Sequence, residues 1–552
     1  MLGNNKPSKR SNSNSSRRKF IGYIGGGALM TTMAGCLGGD SDDPASSGDD
    51  DTSDDSTEDT QTGGTLTFAQ AGAPIKFDPI DETDGASSAV DAQVYSHLFR
   101  YGEGPDPTAA PPHSLATDLP EWERDGSRMI VEILDYAEFH NGDHLTAEDV
   151  QYTFEQPLVE ETNLMSQFDI FTDIELVDDY TLQFDLDIPY EGIVHAMVQP
   201  IVPKDAREAN RESFGLDTVI GSGPFELVDW AEGEFVRFER WDDWWGDELP
   251  NVEAMEWIPI EENTTRFAEL SAGEVDIMED VPPQLFEQFD ADPGVDVFEA
   301  DWLNYFYAAF NFNEGETTKP EVREAIDYCF TVETVIEQQV EPVGSVLHGP
   351  LPGALAEQWE MPVSEWEAHW NDRDFDRAAE LFEEAGVPDD WTCEIVAPPG
   401  ETREQVGISI ANGINQAGYD ASMRALDWGS FNEITAEQSA DECNIQLVGL
   451  TPDPDPHSFL DLVFHSEGAL NDAQYSNERV DELIDDGQRT VGFEDRQPLY
   501  EEAIGHILDD RAHIPLYNLK RTYGVSDNVS NFSVHPIRNP SLFTNRNNVS
   551  VQ

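Results

Sequence analysis

Apolar positions along this chain recur with two different periods. In TLTFAQ (65–70) and RMIVEIL (128–134) they alternate, which predicts strands with successive side chains on opposite faces. VYSHLFRYG has Val94, Leu98 and Tyr101 at helical spacing and predicts a helix stopped by Gly102. LTAEDVQYTFEQ begins with Thr146 three residues before Asp149, a helix start with its own cap. GSGPFELVDWAEGEFVRFER reads as a glycine turn and two strands, and TTRFAELSAGEVDIM as a helix ended by Gly273 and followed by a strand. PEVREAIDYCFTVETVIEQQV carries helical spacing from Val322 through Ile326 to Phe330, and FDRAAELFEEAG is a helix closed by Gly386. CEIVAP and CNIQLVGL are strands separated by the helical EQVGISIANGINQAG, an alternation that predicts an α/β lobe with a mostly parallel sheet. Asn141-Gly142 between apolar runs predicts a tight turn, so His140 and His144 flank that turn instead of sharing a helix face, and a structural role is favoured over a metal.

The first 62 residues follow neither period. Ser16 precedes Arg17-Arg18-Lys19, then a glycine-rich apolar run from Phe20 to Gly35 that is short for a span of about 20 residues. Arg17 and Arg18 resemble a twin-arginine export signal, and Met33-Ala34-Gly35-Cys36 resembles a lipobox that would leave Cys36 lipidated. The segment 37–62 holds ten acidic and no basic residues between Asp40 and Asp59 and almost nothing apolar to bury. As a flexible tether it would reach roughly 25–30 Å. The working part is thus expected on the extracellular face of the cytoplasmic membrane, held by a lipid anchor.

Charge changes the picture further. The 552 residues carry 112 acidic against 30 basic side chains, a formal net charge of −82. Such a balance excludes a general nucleic-acid binder. It also opposes a compact state in dilute solution, but at 1 M salt the Debye length is about 3 Å and the repulsion fades. A salt-loving archaeon is the expected source. The acids are scattered between apolar positions, as on a solvated face. Beyond Cys36, the cysteines Cys329, Cys393 and Cys443 are far apart and form no CxxC pair, and a disulfide between two of them stays open.

Nine stretches, in order, resemble the extracellular solute-binding proteins of oligopeptide, dipeptide and nickel ABC transporters (solute-binding family 5). They are SLATDLPEW, AEFHNGDHLTAEDVQYTFE, GSGPFELVDWAEGE, the long run from WWGDELPNV to MEDVPP, KPEVREAIDYCF, GPLPG, DPHSFLDLVFHSEG, YSNERVDELID and IPLYN. The resemblance covers about 63–545. It implies an α/β, two-lobed periplasmic-binding-protein-like fold of type II with an extra inserted domain. Lobe I would comprise 63–97, 219–302 and 520–545, the inserted domain 98–218, and lobe II 303–519. The chain would cross between lobes near 302–310 and 515–523, where a hinge of two strands could absorb closure.

The same resemblance implies a binding role and no enzyme: a monomer, with no cofactor and no metal, that captures peptides and delivers them to ABC permease subunits. An aspartate near GLTPDPDPHSFL would hold the ligand's ammonium, with Asp453 the first candidate and Asp455 the second; capping of turns between the prolines is the plain alternative. In LDWGSFNE, Trp428 would line the cleft, with Phe431 the weaker candidate and a core role nearly as plausible for the tryptophan. Ala71 and Gly72 in FAQAGAP would offer only backbone at the cleft mouth. A nickel–chelator, an oligosaccharide or another polar solute is the alternative ligand. A secreted hydrolase is the distant alternative class, and the sequence holds no GxSxG or HExxH for it.

Overall fold

The computed structural model describes residues 63–552 apart from 82–83, 103–105, 110, 438, 536, 538–541 and 544–546. Arg17, Arg18, Cys36 and the acidic tether lie outside the described residues. No described helix is long and apolar enough to cross a membrane.

One strand organises the molecule. His513–Ser526 is 14 residues long and pairs with different neighbours along its two halves. Its first half lies antiparallel to Tyr305–Phe310, from Ala309↔His513 to Phe306↔Tyr517. Its second half lies between Val295–Asp301, paired from Asp301↔Lys520 to Val295↔Ser526, and Ile277–Glu279. Residues 302–304 and 517–520 therefore carry the chain between two halves of one sheet system.

On one side the order runs His513–Ser526, Tyr305–Phe310, Ile445–Leu450, Thr392–Ala397, Asp420–Ala425, and the last three strands are mutually parallel. Ile445–Leu450 is buried at every position, Gln446 included, as in a strand covered on both faces. On the other side Ile277–Glu279, Thr65–Gln70 and Ala254–Pro259 are parallel, and Phe235–Arg240 and Phe225–Ala231 complete the edge as a hairpin.

These registers fix where the strands end. Tyr305 pairs with Leu450, so the carboxyl ends of the three parallel strands on the first side lie at the crossing. Glu279 pairs with Tyr523, so the carboxyl ends of 65–70, 254–259 and 277–279 lie there as well. Ligands in open α/β sheets bind at such ends.

A separate antiparallel sheet, in the order Glu121–Glu123, Arg128–Glu132, Thr181–Leu186, Phe171–Asp178, has its own core, including Leu98, Phe154, Phe184 and Ile201. The helix Ala147–Glu160 packs against it and starts with the expected capping box of Thr146 and Asp149.

Two expectations on helices are corrected. Residues 94–101 are not helical: the helix is Gly85–Val94, and the chain then runs extended into Arg100–Tyr101. Ser96 exchanges hydrogen bonds with Ser222, and Leu98 N donates to Gln199 O, so tertiary partners take the backbone groups that a helix would have used. The apolar run from Val322 is two helices, Pro320–Asp327 and Val332–Gln339, instead of one. Cys329, Cys393 and Cys443 are free and buried.

Candidate functional site

The loop after Ile445–Leu450 carries Asp453 and Asp455, and the structure gives them different environments. Asp455 is buried and caps the helix Pro456–Phe464, accepting from His457 N at 2.9 Å. Its carboxylate takes a 2.8 Å hydrogen bond from Arg496 Nη2. Burial alone would push that carboxyl up, but Arg496 outweighs it and holds the group below its ordinary value. Asp455 is therefore corrected from an anchor candidate to a cap whose charge is already paired.

Asp453, in contrast, is exposed to solvent. Crowding by protein, and then the nearby charge of Asp455, pushes its carboxyl up to about 6. Its carbonyl accepts from Asp455 N at 2.8 Å, so the turn fixes its place.

The helix Glu401–Gln416, which follows the neighbouring strand Thr392–Ala397, supplies Arg403 from its first turn, and no motif marks it. It is half-buried, its guanidinium 5.6 Å from the Phe306 ring and 6.0 Å from the Trp428 ring. Nη1 donates to the carbonyls of Pro398 and Pro399, while Nε has no partner among the described residues. Phe306 stacks on Tyr517 with centroids 4.7 Å apart. Trp428, half-buried, starts the helix Trp428–Glu437 that follows Asp420–Ala425. Three adjacent parallel strands thus deliver Arg403, Trp428 and Asp453 to one edge. Phe431 is corrected to a core residue: it has no exposed surface and packs beneath Trp428, with centroids 5.9 Å apart. At the crossing itself, Trp302 Nε1 and Asn304 Nδ2 are buried donors without partners among the described residues.

Across the crossing, Glu279 Oε1 accepts from Ala71 N at 2.5 Å, so one backbone donor expected at the cleft mouth is already used. Burial, then the charge of Asp280, pushes Glu279 up to about 7. Arg266, fully buried, donates to the carbonyls of Ile260, Glu261 and Glu279 and so ties the ends of two parallel strands together. His140 is held by the backbone of Gly221 and Gly223, whereas His144 is exposed. A cavity of about 470 Å³ bordered by Trp366, His369 and Glu501 contains none of the strand-end residues.

The fold and the convergence of strand ends on one crossing define the class first: an α/β protein of the periplasmic-binding-protein type. Residues 111–471 match the family model described as bacterial extracellular solute-binding proteins, family 5 Middle, and the chain belongs to that family. It is a solute-binding component of an ABC importer, a transport protein and not an enzyme. The oligopeptide-binding protein AppA of Bacillus subtilis is 22% identical over 505 residues, 87% of this chain and 90% of AppA. The structure of AppA in complex with a nonapeptide matches with a TM-score of 0.67 at 21% identity, covering 89% of this chain and 100% of that one. The glutathione-binding protein GsiB of Pectobacterium atrosepticum is 24% identical over 475 residues, 83% of this chain and 90% of GsiB. HbpA2 of Haemophilus parasuis matches with a TM-score of 0.77 at 22% identity, covering 89% and 100% of the two chains.

Proposed function

We propose that this protein captures peptides with a free amino terminus between its two lobes and hands them to a membrane permease. The observation that carries this reading is Asp453: a solvent-exposed carboxylate at a strand end, its carboxyl raised, whose neighbour Asp455 is neutralised by Arg496. It can meet an ammonium through a charge-assisted bond. Arg403, its Nε–H unpartnered among the described residues and its guanidinium near the Phe306 and Trp428 rings, can meet a carboxylate. Trp428 forms a wall. Trp302 Nε1 and Asn304 Nδ2, donors without partners among the described residues, suit a ligand rich in carbonyl oxygens. The similarity over most of the folded part to proteins named for oligopeptides and glutathione supports the same ligand class.

In this reading lobe I comprises 63–97, 219–302 and 520–545, the inserted domain 98–218, and lobe II 303–519. The chain works as a monomer outside the cell, exported through Arg17 and Arg18 and tethered by lipidated Cys36, in a medium of high salt. Ligand that touches both lobes only when they meet stabilises the closed form. The test is thermal unfolding in molar KCl with a peptide pool, the same pool acetylated at its amino termini, an oligosaccharide mixture and a nickel–histidine complex. Binding raises apparent stability. A shift with the free peptides alone is expected; a shift with the sugars or the nickel complex and none with peptides overturns the peptide reading.

A further inference from the structure

The helix Phe493–Asp509 starts at Gly492, which has no side chain to cap it. In a capping box, an acidic side chain of the first turn would reach back to the N–H of the cap residue. Here the bond comes from another part of the molecule: Gly492 N donates to Glu191 Oε2 at 2.8 Å, across 301 residues of sequence. A carboxylate at the amino end of a 17-residue helix also meets the positive end of the helix dipole.

Glu191 belongs to the loop after strand Thr181–Leu186, in the sheet unit with its own core. Phe493–Asp509 packs in the core of the other side, through Tyr500, Ala503 and Ile507. Two more contacts flank this one. Tyr190 Oη lies 3.3 Å from Ser458 Oγ, in the first turn of the helix that Asp455 caps. Val491 fits against the turn at Gly126: a Cβ added at Gly126 would stand 2.4 Å from Val491 Cγ2 and 3.4 Å from Pro189 Cβ. All three contacts join the same two units, and Ser458 lies five residues from Asp453.

We propose that Glu191, Tyr190 and Val491 form a latch holding the inserted sheet unit against the lobe that carries Asp453, with Glu191 as the helix cap that lobe lacks. The latch rests on the two-lobe clamp described above and is independent of which solute the clamp takes. Opening the clamp would expose the Gly492 N–H to water and return the Glu191 carboxylate to solvent.

The experiment is amide hydrogen exchange, read at Gly492 and Phe493, together with small-angle X-ray scattering, on the full chain in molar KCl without any solute. Glu191→Ala is expected to speed exchange at Gly492 about tenfold and to shift scattering toward a more open shape, with core strands such as Ile445–Leu450 unchanged. Glu191→Gln, which keeps an acceptor oxygen but no charge, is expected to fall between Glu191→Ala and wild type, and Tyr190→Phe to open the molecule without uncapping the helix directly. Unchanged exchange at Gly492 in Glu191→Ala overturns the latch. So does acceleration spread evenly through the core, which would be general destabilisation. Because no solute is present, failure to bind peptides leaves this result standing, and an absent latch leaves the peptide reading standing.

Discussion

Replacing Arg496 by methionine probes the electrostatics beneath the site. Arg496 and Asp455 are 4% and 2% exposed. The guanidinium bonds Asp455 Oδ1 at 2.8 Å, Tyr500 Oη at 3.0 Å and Gly487 O at 3.1 Å. Methionine fills much of the volume and removes all three bonds, leaving a buried carboxylate with the His457 N–H at 2.9 Å as its remaining bond. Breaking a buried pair in this way costs about 3–5 kcal/mol. In Arg496→Met/Asp455→Asn the cap acceptor survives without a charge, so most of the loss should return, to within about 1–2 kcal/mol of wild type.

The pH dependence gives a second readout. In wild type Asp455 is held below its ordinary value. It therefore contributes stability above the unfolded carboxyl value of about 3.9, lost as pH falls through the lower folded value. In Arg496→Met the largest influence opposing burial is gone and the folded value rises. The folded state then takes up a proton more readily than the unfolded one, and the variant gains stability as pH falls toward about 4. Urea unfolding in molar KCl, followed by tryptophan fluorescence, should show the largest deficit near pH 7 and a smaller one at pH 4.5. A pH-independent deficit under about 1 kcal/mol, or a double variant no more stable than the single one, refutes the reasoning.

Other outcomes follow from the same contacts. Asp453 titrates at about 6, so peptide affinity measured by calorimetry should weaken below that pH by about tenfold per unit and lose this dependence in Asp453→Asn. The sign for the free protein is opposite: a carboxyl raised in the folded state favours folding as pH falls from 6 toward 4. Gly413→Ala should destabilise by about 1–3 kcal/mol, against helix propensity, because the new Cβ would lie 2.2 Å from Cys329 O; equal or higher stability in chemical unfolding would contradict the packing. Phe431→Ala should cost about 3–5 kcal/mol of stability through the core, whereas Trp428→Ala should chiefly weaken binding. With a net charge of −82, stability should rise steeply with KCl up to molar concentration, and a flat response would remove self-repulsion from the account.

Much of the frame is legible in local signals. The cap at Thr146, the stop at Gly273 with φ +76° and the buried run of Ile445–Leu450 all act within a few residues of themselves. Residues 94–101 misled because their apolar spacing suits a helix, whereas Ser222 and Gln199, more than 100 residues away, hold them extended. The site divides in the same way. Asp453 stands in a motif, but which of two nearby aspartates is free depends on Arg496, 41 residues beyond Asp455. Arg403 carries no signal of its own; the strand order that sets Thr392–Ala397 beside Ile445–Leu450 brings it to the same edge as Asp453. The bond from Gly492 to Glu191 spans 301 residues and lies beyond any reading of local pattern.

Capture of a randomised tetrapeptide pool from molar KCl, read by mass spectrometry for wild type and Asp453→Asn, tests the central claim most directly. The account expects wild type to retain free peptides, to lose them when their amino termini are acetylated, and Asp453→Asn to retain neither. Equal retention of free and acetylated peptides by wild type, or undiminished capture by Asp453→Asn, would contradict an ammonium held at this carboxylate.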